Sequence, residues 1–454
     1  MPDHPPRGGV APDRIAALMA RETARCAGAR PRTRQALDYG AAAFLDGVPM
    51  HWMKDWPTPF PLLIAKAKGA RLTDLDGHEI DDFCLGDTAS LFGHSPKPVA
   101  RALRRQARQG LTYMLPTVDA LAVGMLLTAR FGDYLWQIAT TATDANRFAL
   151  KVARAVTGRP RVLVFDGAYH GTVDETMVAL QGGRTVARPG LVGMAGDPAG
   201  LAVAVPFNDI AAVEAALAAG EIAAVIAEPV MTNSCMVLPA PGFHAALREA
   251  TRRHGALLII DETHCIASAP GGYTALHGLE PDILTCGKAV AGGVPAAVWG
   301  LTSETAARFS ALERAPGHSG MGTTLSASPL QFAALRATLE EVMTPRAYAR
   351  MSKGAHRLAR GLGAAITRHG APWHVARVGA RVEFICAPGP LRDGAEAARA
   401  HAPELEAAVH LALLNRGALI APFHNMMLVS PVTTRGQIDR LVDAFDAVLA
   451  ELFA

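Results

Sequence analysis

The sequence predicts an α/β protein: a large domain with a mostly parallel sheet covered by helices, and a smaller α+β domain assembled from the N- and C-terminal segments. Three observations carry that expectation. Short β-branched runs alternate with Ala-rich helical stretches through the middle of the chain, the pattern of strands joined by covering helices. Each apolar run is followed at once by polar residues, as at the carboxyl edge of an open parallel sheet, where ligands bind. The 454 residues are 50% hydrophobic and only 19% charged, so the chain can bury a sizeable core and is not a disordered protein.

Residues 1–92 read as a helix, a Pro- and Trp-rich loop and a hairpin. The hairpin turns on Asp76–Gly77, between Leu72 and Ile80, because a D-G pair accepts the positive φ that a tight turn needs. Met1–Val10 is polar, without the apolar stretch of a secretory signal. Residues 93–344 form the expected large domain. Within it, Arg147–Val156 is helical and Arg161–Phe165 (RVLVF) is a buried strand. Ile210–Ala219 is helical, Ala223–Ala227 (AAVIA) a strand, Gly242–His254 helical, Ala256–Ile260 (ALLII) a strand, and Ile283–Thr285 a shorter strand. Phe332–Val342 is a helix leading away from this core. Residues 345–454 form the C-terminal small domain and close on a helix over Gln437–Leu452.

Composition excludes several classes. The 44 basic and 41 acidic residues leave a net charge of only +3, so no nucleic-acid partner is expected. No run of 18 apolar residues exists, so no membrane span is expected. The six cysteines (Cys26, Cys84, Cys235, Cys265, Cys286 and Cys386) form no C-x-x-C pair. That fits core packing in a reducing cytoplasm and no metal site. No G-x-G-x-x-G follows a strand, which argues against a nicotinamide dehydrogenase. Lysine stands only at positions 54, 66, 68, 97, 151, 288 and 353, and arginine supplies the other basic residues. A lysine in an apolar setting, as at Lys288, therefore invites a chemical explanation.

The strand ends supply one. RVLVF is followed by Asp166-Gly167-Ala168-Tyr169-His170-Gly171, AAVIA by Glu228, ALLII by Asp261-Glu262-Thr263-His264, and the last strand by Cys286-Gly287-Lys288. Taken singly, each acidic residue reads as a cap and each histidine as a hydrogen-bonding residue; the ordered set is what points to chemistry. A lysine with a free lone pair bonds to an aldehyde carbon. A carboxylate at a buried strand end can hold a proton on a heteroaromatic nitrogen, the partner that makes pyridoxal phosphate an electron sink. Tyr169 or His170 offers a ring to stack on it. Ala139–Asn146, ahead of the helical run, offers hydroxyls and N–H groups for a phosphate.

In this order the motifs resemble those of the class III aminotransferases, fold type I pyridoxal-phosphate enzymes. The resemblance is greatest to the branch with glutamate-1-semialdehyde aminomutase and the β-amino-acid and amine transaminases. It runs from about Pro59 to the end and rests on GARLTDLDGHEIDDF (Gly69–Phe83), GHSPKPV (Gly93–Val99), TTATDANRFALKVAR, FDGAYHG, AEPV, LIIDETH, GLEPDILTCGKAVAGGVPAAVWG and TTLSASP (Thr323–Pro329). Lys288 stands 27 residues after Asp261, close to the family's spacing.

The resemblance implies pyridoxal 5'-phosphate as cofactor, bonded to Lys288 as a Schiff base. It implies Asp261 at the pyridine nitrogen, Glu228 near the ring oxygen, and Tyr169 and Thr263 on the two ring faces. Thr141, Ala142 and Thr143 would form the phosphate cup. It also implies a homodimer in which Thr324 reaches the partner's phosphate, in the cytoplasm that the unpaired cysteines suggest. Three departures from the family pattern stand out. The usual Ser-Gly-Thr cup is Thr141-Ala142-Thr143, Asp144 replaces a glutamate, and Ala327-Ser328 replaces Gly-Asn.

In the region that often carries a substrate-binding arginine, this chain has Met50-His51-Trp52-Met53-Lys54-Asp55-Trp56. His51, Trp52, Lys54 and Trp56 are candidates for an apolar, aromatic pocket, with His424 from the C-terminal domain; packing at a dimer interface is the alternative. The expected reaction is transfer of an amino group from an amine or amino acid to a keto acid, aldehyde or ketone. The alternative is a glutamate-1-semialdehyde-type 2,1-aminomutase, for which Gln181–Gly190 resembles the gating loop; a flexible surface loop is the plainer reading.

Overall fold

The structure is a computed structural model that describes residues 7–312, 319–421 and 423–454; residues 1–6 of the polar Met1–Val10 stretch lie outside them. Its centre is a seven-stranded sheet. In spatial order the strands are Leu135–Ala139, Ala297–Leu301, Ile283–Cys286, Leu257–Asp261, Ile222–Ala227, Arg161–Phe165 and Ala202–Val205. Only Ala297–Leu301 runs against its neighbours; the other ladders are parallel. Helices cover both faces, so Ile222–Ala227 is buried along its whole length. That is why it reads as an unbroken apolar run rather than an alternating one.

The four strands expected from sequence are present to within a residue or so at each end. Three others carry no such signal. Leu135–Ala139 is a sheet edge, with alternate residues exposed. Ala202–Val205 is half alanine. Ala297–Leu301 contains Gly300, where a Cβ would lie 2.7 Å from Tyr134 and 2.8 Å from the Trp136 ring. Close packing of those aromatic rings explains the glycine in a strand that otherwise disfavours it.

Register lines up the functional strand ends. Ile260 pairs with Ala227, and Asp261 with Thr285. Asp261, Thr285 and the residue after Ala227, Glu228, therefore fall in one row at the carboxyl edge. The helix Ala142–Thr157 lies against this sheet, burying Ala145, Asn146, Phe148, Ala149, Leu150, Val152 and Ala153. Its start is fixed by Thr141, whose hydroxyl accepts from the Asp144 N–H at 3.1 Å. Its end is set by Gly158 in the left-handed region (φ 69), the usual helix-stop geometry.

The two chain ends build the rest together. The hairpin strands Arg71–Asp74 and Glu79–Asp82 pair antiparallel as the D-G turn predicts, and Ala418–Leu419 adds a parallel strand from the far end of the chain. The helix Pro12–Gly28 packs on Pro403–Asn415. A three-stranded antiparallel sheet (His374–Val378, Arg381–Ile385, Met426–Leu428) carries a core in which Phe384 meets Trp373 at 5.8 Å and Phe445 at 4.8 Å between ring centroids. The expected helix over Phe332–Val342 is in fact Pro329–Ala337 followed by a π-helical turn, Thr338–Val342. The Gln181–Gly190 segment is partly regular. Val178–Gln181 and Arg184–Ala187 form a hairpin over Gly182–Gly183, both at positive φ, as a type I′ turn requires.

Candidate active site

Lys288 leaves the sheet through Gly287 and starts a short 3-10 turn. A Cβ on Gly287 would lie 2.8 Å from the Ala142 side chain. The lysine turn is thus pressed against the first turn of the helix Ala142–Thr157, and no larger residue fits between them. Lys288 itself sits at φ 49, a left-handed conformation that costs a non-glycine residue about 1 kcal/mol or more. Strain of this kind clusters where a side chain must be aimed. The Lys288 Nζ is 2.6 Å from Asp87 Oδ2 and 2.7 Å from His264 Nε2.

Asp87 arrives on another strained segment. Leu85, Asp87 and Thr88 all have positive φ. Asp82 braces the segment by accepting the N–H groups of Cys84 and Leu85 at 2.8 Å each, and His94 Nε2 lies 2.6 Å from the same carboxylate.

The Asp261 carboxylate is buried and fully engaged. Oδ2 accepts from Asn146 Nδ2 at 2.8 Å and lies 3.1 Å from His170 Nδ1; Oδ1 accepts from the Thr263 N–H at 3.0 Å. Burial alone pushes such a carboxyl up. Here the hydrogen bonds, the one to His170 foremost, outweigh it, holding the group down at about 2, so it is ionised at any working pH. Asn146 is fixed in turn by the Thr285 hydroxyl at 2.6 Å. Glu228 behaves in the opposite sense. Burial pushes its carboxyl up, although the Thr232 hydroxyl and the Asn233 amide donate to it.

Lys288, Asp261 and Glu228 face one cavity of about 340 Å³, within the range of small-ligand sites. It is lined by Lys288, Asp261, Glu228, Thr141, Ala142, Thr143, Tyr169, His170 and Thr263, with His264, Ala89 and the Gly293–Ala296 run. The structure therefore brings together the sequence-derived candidates on the large sheet. Ala142 fits the cup without strain, since Thr141 is extended and Ala142 is already helical; glycine's conformational freedom is not needed there.

The N-terminal loop candidates are elsewhere. Among the described residues lining the cavity there is no His51, Trp52, Lys54, Trp56, His424 or Thr324. Lys54 is held by Asp46 at 2.8 Å, Trp52 packs edge-on against Phe423, and Trp56 leans on the core. His424 is buried 3.4 Å from Glu383, and Thr324 is exposed. Sequence reading missed Asp87 and Arg381, and it placed Asn146 in the phosphate stretch rather than at Asp261. A buried asparagine on the apolar face of the helix was the one visible signal, for Asn146.

The cavity fits pyridoxal phosphate by its own geometry. The first-turn N–H groups of a long helix open at one end, where a phosphate binds well. On the same cavity wall the ionised Asp261 suits a protonated ring nitrogen. Gly171 marks how tightly the cup is drawn: it has φ 81, and a Cβ there would run into Thr143. Gly171→Ala is expected to displace Thr143 and weaken cofactor retention about 10- to 100-fold, the equivalent of about 1–3 kcal/mol of strain. Titrating the dialysed protein with pyridoxal phosphate checks this, and unchanged affinity would contradict it.

Comparison with known proteins agrees. The aminotransferase class-III family model matches residues 52–449. A glutamate-1-semialdehyde aminomutase from Pseudomonas aeruginosa PAO1 superposes with a TM-score of 0.95 at 47% identity, covering 98% of this chain and 100% of that one. A lysine-to-alanine variant of the Pseudomonas aeruginosa enzyme has been solved in complex with PMP. The glutamate-1-semialdehyde 2,1-aminomutase of Sorangium cellulosum is 36% identical over 86% of this chain and 89% of its own. A β-phenylalanine aminotransferase from Variovorax paradoxus shares 27% identity at a TM-score of 0.85, over 96% of this chain and 97% of that one. The chain belongs to the class III aminotransferases, enzymes of fold type I whose cofactor is pyridoxal phosphate.

Proposed function

We propose that this chain moves an amino group between adjacent carbons of one small substrate, as a glutamate-1-semialdehyde-type 2,1-aminomutase, with pyridoxal phosphate held at Lys288. The observation that carries the chemistry is the convergence of Lys288, Asp261 and a helix N-terminus on one cavity. The mutase reading is favoured over general transamination by the relatives bearing that name at 36% and 47% identity.

Bound there, the cofactor supplies an electron sink for breaking a bond at the amine-bearing carbon. The chain's own residues do the rest. The Thr141 and Thr143 hydroxyls and the first-turn N–H groups hold the phosphate. Asp261 keeps a proton on the ring nitrogen. Tyr169 and Thr263, both on the cavity wall, would cover the two faces of the cofactor ring, the Thr263 hydroxyl accepting from the Gly287 N–H at 3.2 Å. Glu228, whose carboxyl burial pushes up, stands on the cavity wall with the Thr232 hydroxyl and the Asn233 amide donating to it. Lys288 Nζ is the mobile base, with Asp87 beside it to accept an N–H.

A mutase must retain its half-converted substrate. The Gln181–Gly190 segment is the proposed gate: Arg188, at its end, donates to the Ala168 carbonyl at 2.6 Å, one residue from Tyr169. We also propose a cytoplasmic homodimer. Met114, Leu115, Val118, Leu121 and Met125 are exposed on one stretch of the chain, and a second copy would cover them, with Thr324 reaching the neighbouring cavity. Among the described residues no helix is long and apolar enough to cross a membrane.

One observation favours the alternative of transfer between two molecules. No arginine lines the cavity among the described residues, and Lys54 is occupied by Asp46. An uncharged or aromatic amine donor would suit such a site. The test is direct. Under the mutase reading, glutamate-1-semialdehyde alone is isomerised to 5-aminolevulinate. Under the alternative it is untouched, while a panel of amines and β-amino acids donates to pyruvate or 2-oxoglutarate.

A further inference from the structure

Behind His264 lies Arg381, buried to 1% exposure and reaching the site from the C-terminal sheet. Its NH1 is 2.8 Å from His264 Nδ1. A guanidinium only donates, so Nδ1 is the acceptor. Burial holds the His264 ring well below its ordinary value, and a neutral imidazole carries one hydrogen. That hydrogen must then be on Nε2, which faces Lys288 Nζ at 2.7 Å. For Nε2–H to donate, Nζ must present a lone pair. The amine's own N–H then goes to Asp87 Oδ2 at 2.6 Å. An ammonium, with three hydrogens and no lone pair, would meet Nε2–H head-on. The Asp87 carboxylate pulls the other way, since a negative charge beside Nζ favours the ammonium.

We propose that Arg381 and His264 act together as positioning residues: Arg381 fixes the His264 tautomer, and His264 keeps the Lys288 lone pair available against the pull of Asp87, setting the pH at which this lysine becomes reactive toward a carbonyl. The proposal rests on Lys288 being the residue that bonds the cofactor. The groups facing Lys288 are Asp87 from the 82–95 segment, His264 from the loop after Leu257–Asp261, and Arg381 behind it. Asp261, Glu228, Tyr169 and His170 line the same cavity.

The test uses the full chain freed of cofactor and an amine-acylating probe, an N-hydroxysuccinimide ester of acetic acid. Labelling at Lys288 is followed against pH by mass spectrometry, with the other six lysines as internal controls. In His264→Leu, which leaves the Arg381 charge in place, the midpoint of Lys288 labelling is expected to rise by about one pH unit or more. In His264→Gln, whose amide can accept from Arg381 and donate to Nζ, the midpoint stays near that of the wild type. In Asp87→Asn it falls. An unmoved midpoint in His264→Leu overturns the proposal, and so does an absent or upward shift in Asp87→Asn. If His264→Leu does not fold, His264→Gln decides: a Lys288 midpoint that departs from the wild type by about one pH unit or more overturns the proposal. Capture of pyridoxal phosphate by the wild type is measured separately, so failure of the cofactor assignment is distinguishable from failure of the relay.

Discussion

Lys288→Ala is expected to abolish covalent capture of pyridoxal phosphate and to lower turnover by about four orders of magnitude or more, as removal of a covalent catalytic group does in other enzymes. The structure leaves no substitute. Among the described residues lining the cavity there is no second lysine. Of the two groups beside Nζ, Asp87 is a carboxylate with no amine to bond a carbonyl carbon, and His264 Nε2 carries the hydrogen in the arrangement set by Arg381. The variant should still bind cofactor non-covalently, because Asp261 and the helix N-terminus are untouched. Absorbance of the bound cofactor and steady-state turnover check both halves. Turnover near the wild-type rate would remove Lys288 from the mechanism.

Asp261→Asn carries the second largest effect. Its carboxylate is held at about 2, so the charge is present throughout the working range. Because the value is depressed, the group's contribution to stability is full above the ordinary carboxyl value and is lost only as pH falls through about 2. The asparagine keeps the shape and removes the charge that holds a proton on the ring nitrogen. It also turns an amide N–H toward the donors Asn146 and His170, leaving buried groups unpaired at a cost of about 1–3 kcal/mol. Turnover is expected to fall about 10²- to 10³-fold, the scale for losing one preorganised electrostatic contact, with cofactor still bound. A stability loss with turnover within a few-fold of the wild type would contradict the role given to Asp261.

Legibility in the sequence followed the physics of each part. Strands buried on both faces, such as Ile222–Ala227, must be apolar throughout, and they stood out. The edge strand Leu135–Ala139 and the glycine-bearing Ala297–Leu301 answer to local packing and did not. Lys288, Asp261, Glu228 and Tyr169 were readable because sheet topology brings successive strand ends to one edge, a rule that acts along the chain. Asp87 and Arg381 obey no such rule. They meet Lys288 and His264 across 201 and 117 residues of sequence, through a strained loop and a separate sheet, and nothing periodic announces them. The His51–Trp56 loop shows the converse: its composition suits a pocket, but in the single chain its groups are occupied by Asp46, Phe423 and the core.

The central claim is that this cavity holds pyridoxal phosphate through Lys288. Borohydride reduction of the protein loaded with pyridoxal phosphate, followed by peptide mass spectrometry, tests it most directly. The predicted result is one cofactor-sized addition per chain, on the peptide containing Lys288 and on none containing the other six lysines. An addition spread over other lysines, or no addition at all, would contradict it.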